Sequence, residues 1–418
     1  MNRPASVAIV ARSAFPIHGA GGLERSVYDL ARHLADRDVR VTVITRTPHQ
    51  PSAANAIHPR VALRFVPYRT FPLAGRRGTT VIDRSTAYPL FGMRAGALAA
   101  DMVSRGEADI VHGFGAAVLG YARRRQTLSA PLVLNPQGLE EFGATDPSRA
   151  GLKRLAYLPL RKAVLACARR ADAVIATDRA LEPAVRNHLR IEDDKMRTIP
   201  NGLDLGEVDR LAGLEDGIRM RRAAGVAEGE LVLLSAGRLE ENKGFHVLAA
   251  ALGALQEHSG RLAREKWRWV VAGAGPFRGR LERAVADAGI APNVQFAGRV
   301  SDADLHAWYE AADLFVHPTL YEGSSLVTLE AMAHRRACVV TRAGGLPDKV
   351  KNGVNGWIVE PGDPSTLAAA ISGALDNPLR LMEMGHAGRA IVEGEFSWTT
   401  LVERTLDLYS ELLGRSQR

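Results

Sequence analysis

Glu322 and Glu330, eight residues apart, bracket the densest chemistry in the chain: His317-Pro318-Thr319-Leu320-Tyr321-Glu322-Gly323-Ser324-Ser325-Leu326-Val327-Thr328-Leu329-Glu330-Ala331-Met332-Ala333. An apolar run ends near Val316, a loop carries Glu322-Gly323, and a helix is predicted to begin at Ser324 or Ser325 and to run past Ala333. About six helical residues at ~1.5 Å each put the carboxylates roughly 9 Å apart along the axis. That spacing suits one elongated ligand better than a paired acid and base. Free backbone N–H groups at the helix start between them offer an anion site. A sugar hydroxyl, a phosphate and a ribose hydroxyl fit the layout in that order.

A second constellation, Gly237-Arg238 followed by Lys243-Gly244, leaves the end of an apolar run at 231–235. Arg supplies a planar fork and Lys a point charge, and together they can hold a diphosphate; the plainer alternative is a pair of surface charges. Gly19-Ala20-Gly21-Gly22 stands between a first strand and a first helix, where glycines let N–H groups approach an anion, unless it is only a flexible turn. Gly273-Ala274-Gly275 also follows a strand, but Arg278 stands where a dinucleotide fingerprint needs its third glycine. Asp36-Arg37-Asp38 and Asp302-Ala303-Asp304 read as a turn and a helix start, so no metal site is predicted. The two cysteines, Cys167 and Cys338, are too few for a thiolate zinc site or a disulfide framework.

These residues need a scaffold, and the pattern supplies one. Strand-like runs at Val7–Val10, Val39–Ile44, Asp109–His112, Leu132–Asn135, Ala173–Ala176 and Arg197–Ile199 alternate with helical spacing such as Leu23, Val27, Leu30 and Leu34. The alternation restarts after residue 230 with Leu231–Ser235, Trp269–Ala272, Val294–Phe296, Leu314–Val316 and Cys338–Val340. This predicts an α/β protein of two doubly wound parallel sheets of about five strands each, broken near Pro200-Asn201-Gly202 and followed by a polar 205–228 segment. With 418 residues, 46% hydrophobic and 24% charged, wholesale disorder is excluded.

No stretch approaches the roughly 20 apolar residues that span a bilayer, and Val7–Ala11 is too short for a signal-peptide core. The expected location is the cytoplasm, with attachment to the inner face of a membrane only at its surface. Residues 1–200 hold 30 Lys+Arg against 17 Asp+Glu, a balance of +13, while 201–418 stands at −5. The runs Arg76-Arg77, Arg123-Arg124-Arg125, Arg161-Lys162 and Arg169-Arg170 are a solvated face or a surface for phosphate groups or anionic lipid. Nucleic acid is not an expected partner, since no helix-turn-helix, finger or RNP-like signature occurs.

Taken together, Glu322 and Glu330 with Glu-Ala-Met-Ala, Arg238 with Lys243, Pro200-Asn201-Gly202-Leu203-Asp204, Gly344-Gly345-Leu346-Pro347-Asp348 and Gly353-Val354-Asn355-Gly356-Trp357 resemble family 4 (group 1) retaining glycosyltransferases. Gly21-Gly22-Leu23-Glu24 and Phe396-Ser397-Trp398 extend the likeness over nearly the whole chain. The resemblance implies a GT-B fold, two Rossmann-like domains facing across a cleft. Domain limits are set at 1–204 for the acceptor domain and 205–398 for the nucleotide-sugar domain, with a 399–418 helix crossing back to the first. It implies that Arg238 and Lys243 hold the donor diphosphate and that Glu330 binds the ribose. Glu322 would face the sugar, and Gly237, Gly273 and the amides of Ser324, Ser325 and Leu326 would line the donor site. Gly21 and Gly22 would close over the phosphate. A nucleotide diphosphate sugar would be co-substrate, with no cofactor and no metal required, and the acceptor a glycan, a lipid-linked sugar or a small molecule.

The chain departs from the family at Ser324-Ser325, where Phe-Gly is frequent, at His334-Arg335-Arg336-Ala337, and at Gln137, where many relatives carry His. Gln137 donates a hydrogen bond but cannot titrate; His112, read as following the strand Asp109–Val111, is the alternative catalytic residue. Rival readings are a sugar-nucleotide epimerase or hydrolase on the same fold, and a non-catalytic sugar-nucleotide-binding protein.

Overall fold

The computed structural model describes residues 3–19, 21–48, 56–70, 79–136, 139, 142, 155–257 and 261–416. The chain divides into two compact units, Met1–Asn201 with Trp398–Arg418, and Gly202–Ser397.

The first unit is built on β1 (Ser6–Val10), β2 (Arg40–Arg46), β3 (Val61–Val66), β4 (Ile110–Phe114), β5 (Leu132–Asn135), β6 (Ala173–Ala176) and β7 (Met196–Thr198). They pair in parallel in the order β3-β2-β1-β4-β5-β6-β7. All five residues of β1 are buried, as a strand covered on both faces requires. Alternate residues feed two cores. Ala8, Val10, Val111 and Leu132 meet Phe91 and Tyr121, while Val7, Ile9, Ile110 and Phe114 meet Val27 and Leu30 of the Gly22–Ala35 helix. The Trp398–Ser416 helix closes this second core through Leu401, Val402, Leu406 and Tyr409, apolar positions at helical spacing.

The second unit carries β8 (Leu231–Ala236), β9 (Trp267–Ala272), β10 (Val294–Gly298), β11 (Leu314–His317), β12 (Cys338–Thr341) and β13 (Gly356–Val359). Their parallel order is β10-β9-β8-β11-β12-β13. In both sheets the strand order reverses once, between β1 and β4 and between β8 and β11. Loops leaving the carboxyl ends at such a reversal are where open α/β sheets bind ligands.

The sheets have seven and six strands, one more in each than the six and five runs read from the sequence. The unpredicted pair are β3 and β13, each a sheet edge; β3 is largely exposed along its length, and β13 opens on a glycine. The polar 205–228 segment folds as two helices, Leu205–Leu211 and Leu214–Ala223. The first is capped by Asp204, which accepts from Glu207 N at 2.9 Å; Asp216 accepts from Gly213 N at 2.8 Å at the start of the second. The helix expected to run past Ala333 spans Leu326–Ala333 and stops there, because Arg335 turns into the left-handed region at φ 55°. No helix among the described residues is long and apolar enough to cross a membrane.

Candidate functional site

At the β8/β11 reversal two loops are tied together. The loop from β8 passes through a tight turn, Glu241–Lys243, whose Asn242 carbonyl accepts from Leu320 N at 2.7 Å and from Thr319 Oγ1 at 3.0 Å. Both donors lie on the loop from β11. The tie carries Lys243 Nζ to 2.7 Å from Glu322 Oε2, while His317 Nε2, on the last residue of β11, lies 2.9 Å from the same oxygen. Glu322 Oε1 accepts from Gly323 N at 3.0 Å. The Lys243, His317 and Glu322 side chains are 15%, 0% and 12% exposed, so this ion pair is mostly out of water.

Burial alone would raise the Glu322 carboxyl. The hydrogen bond from His317 and the charge of Lys243 overcome that and hold it well below the usual carboxylate range. Burial pushes the His317 imidazole down, against the pull of Glu322. A neutral imidazole facing a carboxylate donates through Nε2–H. That leaves His317 Nδ1, which is buried without a partner among the described residues, as is Ser324 Oγ seven residues on. Buried polar atoms without partners suit a polar ligand.

Ser325 caps the Leu326–Ala333 helix. Its Oγ accepts from Thr328 N at 3.4 Å and lies 2.9 Å from Thr328 Oγ1. The first-turn N–H groups of Leu326 and Val327 have no partner within the helix, so the Ser-Ser sequence keeps an anion-binding helix start. One turn further, Glu330 Oε2 accepts from Tyr309 OH at 2.9 Å. Tyr309 comes from the Asp302–Ala311 helix and is fully buried; burial and the Glu330 carboxylate push its phenol well up.

Gly237 and Gly273 meet where β8 and β9 end. Both are at positive φ, 146° and 150°, and a Cβ on Gly273 would lie 1.8 Å from Gly237 O. No side chain fits that crossing. Arg238 is not brought onto the cluster: its side chain is 77% exposed and pairs with Glu240 at 3.0 Å.

Gly21 and Gly22 lie in the first unit, as the cap and first residue of the Gly22–Ala35 helix. The first turn there already carries a carboxylate, Glu24, whose Oε1 accepts from Ser13 Oγ at 2.7 Å. His112 does not follow its strand. β4 continues through Phe114, which makes His112 a mid-strand residue facing the core under the terminal helix. Its Nδ1 is 2.7 Å from Tyr409 OH, its ring stacks on Phe114, and burial pushes its pKa down to about 3. Gln137 lies outside the described residues, as do Arg76 and Arg77.

Among the described residues no group of three or more His, Cys, Asp or Glu is arranged to hold a metal ion. Ser301 caps the helix beginning at Asp302, and Asp38 pairs with Arg60 at 2.6 Å. In the basic runs, Arg125 is held by Asp172 at 2.7 and 2.9 Å, and Arg124 lies 3.3 Å from Asp101.

Sequence reasoning gave His317 and Tyr309 no role. A histidine closing a buried parallel strand, five residues before a glutamate, was the available signal for the first.

Two family models match the chain: glycosyl transferases group 1 over residues 218–391, and glycosyltransferase family 4 over residues 20–207. A D-inositol 3-phosphate glycosyltransferase of Catenulispora acidiphila is 30% identical over 409 residues, covering 93% of this chain and 90% of that protein. An uncharacterized glycosyltransferase of Methanocaldococcus jannaschii is 32% identical over 247 residues, 58% of this chain and 61% of that protein. Among solved structures, sucrose-phosphate synthase from Thermosynechococcus elongatus matches with a TM-score of 0.77 at 23% identity, over 98% of this chain and 99% of that one. Anabaena HepE in complex with UDP matches with a TM-score of 0.73 at 20% identity, over 97% and 100%. These likenesses establish the fold as GT-B, with two Rossmann-like units. A relative of that identity along nearly the full length, with each half of the chain matched by its own family model, places the protein in family 4 of the glycosyltransferases, group 1.

Proposed function

We propose that the protein transfers a hexosyl unit from a nucleotide diphosphate sugar to an acceptor hydroxyl with retention of anomeric configuration. The observation that carries this reading is the buried Lys243–Glu322–His317 cluster at the β8/β11 reversal, beside the start of the Leu326–Ala333 helix. The donor diphosphate lies against Lys243 Nζ and the N–H groups of Leu326 and Val327. Arg238, exposed on the same loop and paired there with Glu240, swings in as a second cation. Glu330 takes the nucleotide ribose, and Glu322, kept ionised, faces the sugar.

In the step itself the bond from the anomeric carbon to the phosphate oxygen breaks. The bond to the acceptor oxygen forms on the same face, and the departing phosphate takes the acceptor proton. The protein's contribution is orientation and stabilisation of the leaving diphosphate. Two cations and a helix start supply that neutralisation, so transfer proceeds in excess chelator; activity lost there and restored by Mg²⁺ or Mn²⁺ would count against the assignment. Solved relatives hold UDP and UDP-glucose, which makes uridine diphosphate sugars the first donors to try. Relatives named for D-inositol 3-phosphate make a phosphorylated polyol the first acceptor, ahead of glycans and lipid-linked sugars.

Lys243→Ala is expected to lower turnover about 10²–10³-fold, the usual cost of losing one such donor. Near-normal turnover would defeat the reading. Donor consumed equally with and without acceptor would point instead to a hydrolase or epimerase.

Peripheral contact with an anionic membrane through the basic first unit belongs to the same proposal. Lys162, Arg169 and Arg170 are exposed on the Leu158–Arg170 helix, and Arg123 is exposed on the Leu119–Arg124 helix. Each well-placed cation contributes about 1 kcal/mol near such a surface. Pelleting on anionic vesicles that fades as salt rises supports it; equal pelleting on neutral vesicles, or none, removes it.

A further inference from the structure

At the amino-terminal ends of β8, β11 and β12, the end of that sheet away from Lys243 and Glu322, lies a cavity of about 430 Å³. Four arginines line it, Arg221, Arg261, Arg335 and Arg336, against two acids, Glu230 and Asp313. Both acids are engaged, Asp313 in part by one of these arginines. Glu230 accepts from Arg268 Nε at 3.0 Å and from Ala227 N at 2.8 Å, and Asp313 Oδ2 accepts from Val232 N at 2.7 Å with Arg221 at 3.4 Å. Arg261 is answered by Glu265 at 2.7 and 2.6 Å. Arg336 donates to the carbonyls of His334 and Ala312 at 2.7 and 2.9 Å and lies 3.5 Å from Glu310. Burial lowers its pKa, against the charges of Glu310 and Asp313 and with those of Arg335 and Arg221. Arg335 is exposed. Among the described residues its side chain makes no hydrogen bond or ion pair. Arg221 also donates to the Ala311 and Glu230 carbonyls, so three of the four arginines are engaged, and Arg335 is the lining guanidinium left without a partner among the described residues.

The backbone at Arg335 adds an independent observation. Its φ of 55° is costly for a residue with a Cβ, and the position just past a helix end is the usual place of glycine. Its path is fixed by the Pro378–Ile391 helix: a Cβ on Gly385 would lie 2.0 Å from Arg335 O. Glycine would satisfy that backbone. What arginine adds is a cation at the cavity.

We propose that this cavity binds a small phosphate-bearing anion, its oxygens bridging Arg335 and Arg336 with Arg221 behind them. Arg forks match phosphate geometry, and an arginine without a partner, set at the edge of a cleft beside two others, offers such an anion charge-assisted bonds. Pro378, Leu381 and Met382, also on the cavity wall, pack against its organic part. This site is independent of the donor-site reading.

The test titrates sodium pyrophosphate into the full-length protein by calorimetry and thermal shift, with sodium chloride at matched ionic strength as control. The titration is repeated on Lys243→Ala and on Arg335→Gly. Binding that survives Lys243→Ala and weakens about tenfold or more in Arg335→Gly is expected, since charge-assisted bonds are lost. The melting temperature of unliganded Arg335→Gly should hold or rise, because glycine relaxes the left-handed backbone. Arg335→Asn, which also tolerates that conformation, should behave alike. Pyrophosphate binding unchanged in both Arg335 variants overturns the proposal, as does binding abolished by Lys243→Ala alone. Vesicles of phosphatidic acid in phosphatidylcholine separate the sources. Pelleting lost in Arg335→Gly places the phosphate on a lipid; pyrophosphate binding without pelleting places it on a soluble molecule.

Discussion

In the first unit the strand after the reversal is β4, and His112 is the third of its five residues; in the second unit that strand is β11, and His317 is its last. Both histidines are buried and both are pushed down by burial. The surroundings differ. His112 faces a phenol and a phenylalanine ring in a core. His317 faces a carboxylate, and the same carboxylate oxygen is shared with a lysine. Two residues of travel along a strand separate a packing histidine from one that emerges among the loops where chemistry is done. The reversal point alone does not make a site; loops returning charged groups to it do.

The largest effect expected from this contrast is at Glu322. Glu322→Gln keeps the shape and a hydrogen-bond partner for His317 but strands the Lys243 charge in a mostly dry setting. Breaking a buried pair from one side costs about 3–5 kcal/mol. Urea unfolding should show a loss near the lower end of that range, together with a fall in transfer of about 10²-fold. A stability change under about 1 kcal/mol would show that the pair behaves as a surface one.

His112 gives the next test, and it is one of pH. Its folded pKa, about 3, lies below the unfolded value of about 6.5. Between those values the unfolded chain binds the extra proton. The stability His112 contributes is therefore present above about pH 6.5 and declines as pH falls, by about 1.4 kcal/mol per pH unit. His112→Gln, which can still hydrogen-bond Tyr409 but cannot titrate, should flatten the loss between pH 6 and 5 by that amount and leave kcat/KM near wild type. A large fall in kcat/KM with the acid slope unchanged would reverse the assignment and make His112 the catalytic histidine.

The architecture was legible because parallel strands buried on both faces read as apolar runs, and because Lys243 and Glu322 sit in loops just beyond them. What sequence could not supply was the meeting of the two. The residues lie 79 positions apart and are joined through the Asn242 carbonyl, a main-chain contact with no side-chain signature. Separate duties on diphosphate and sugar were read for groups that, without ligand, neutralise each other. The same holds for Gly237 and Gly273, read as two ligand contacts and found packed against one another. The limits of β4 and of the Leu326–Ala333 helix were misjudged for a different reason. A strand is prolonged, or a helix stopped, by what packs beside it, as the terminal helix does at Phe114 and the Pro378–Ile391 helix at Arg335.

The smallest expected effect compares two phenols. Tyr309 donates to Glu330 at 2.9 Å in the second unit, and Tyr409 OH lies 2.7 Å from His112 in the first. Both rings are fully buried, so deleting either hydroxyl costs stability by about the same amount, on the order of 1 kcal/mol. Function separates them. Glu330 is proposed to take the donor ribose, and Tyr309 acts through it by fixing one carboxylate oxygen. Tyr309→Phe should therefore raise the KM for the donor severalfold with kcat little changed, the signature of lost ground-state and transition-state binding alike. Tyr409→Phe should leave both constants alone while lowering the melting temperature to a similar degree. If Tyr309→Phe also changes only the melting temperature, the Glu330 carboxylate needs no orienting partner and the ribose contact must be sought elsewhere on the Leu326–Ala333 helix. If Tyr409→Phe instead shifts KM or kcat, the core around His112 communicates with catalysis, and the contrast between the two histidines fails.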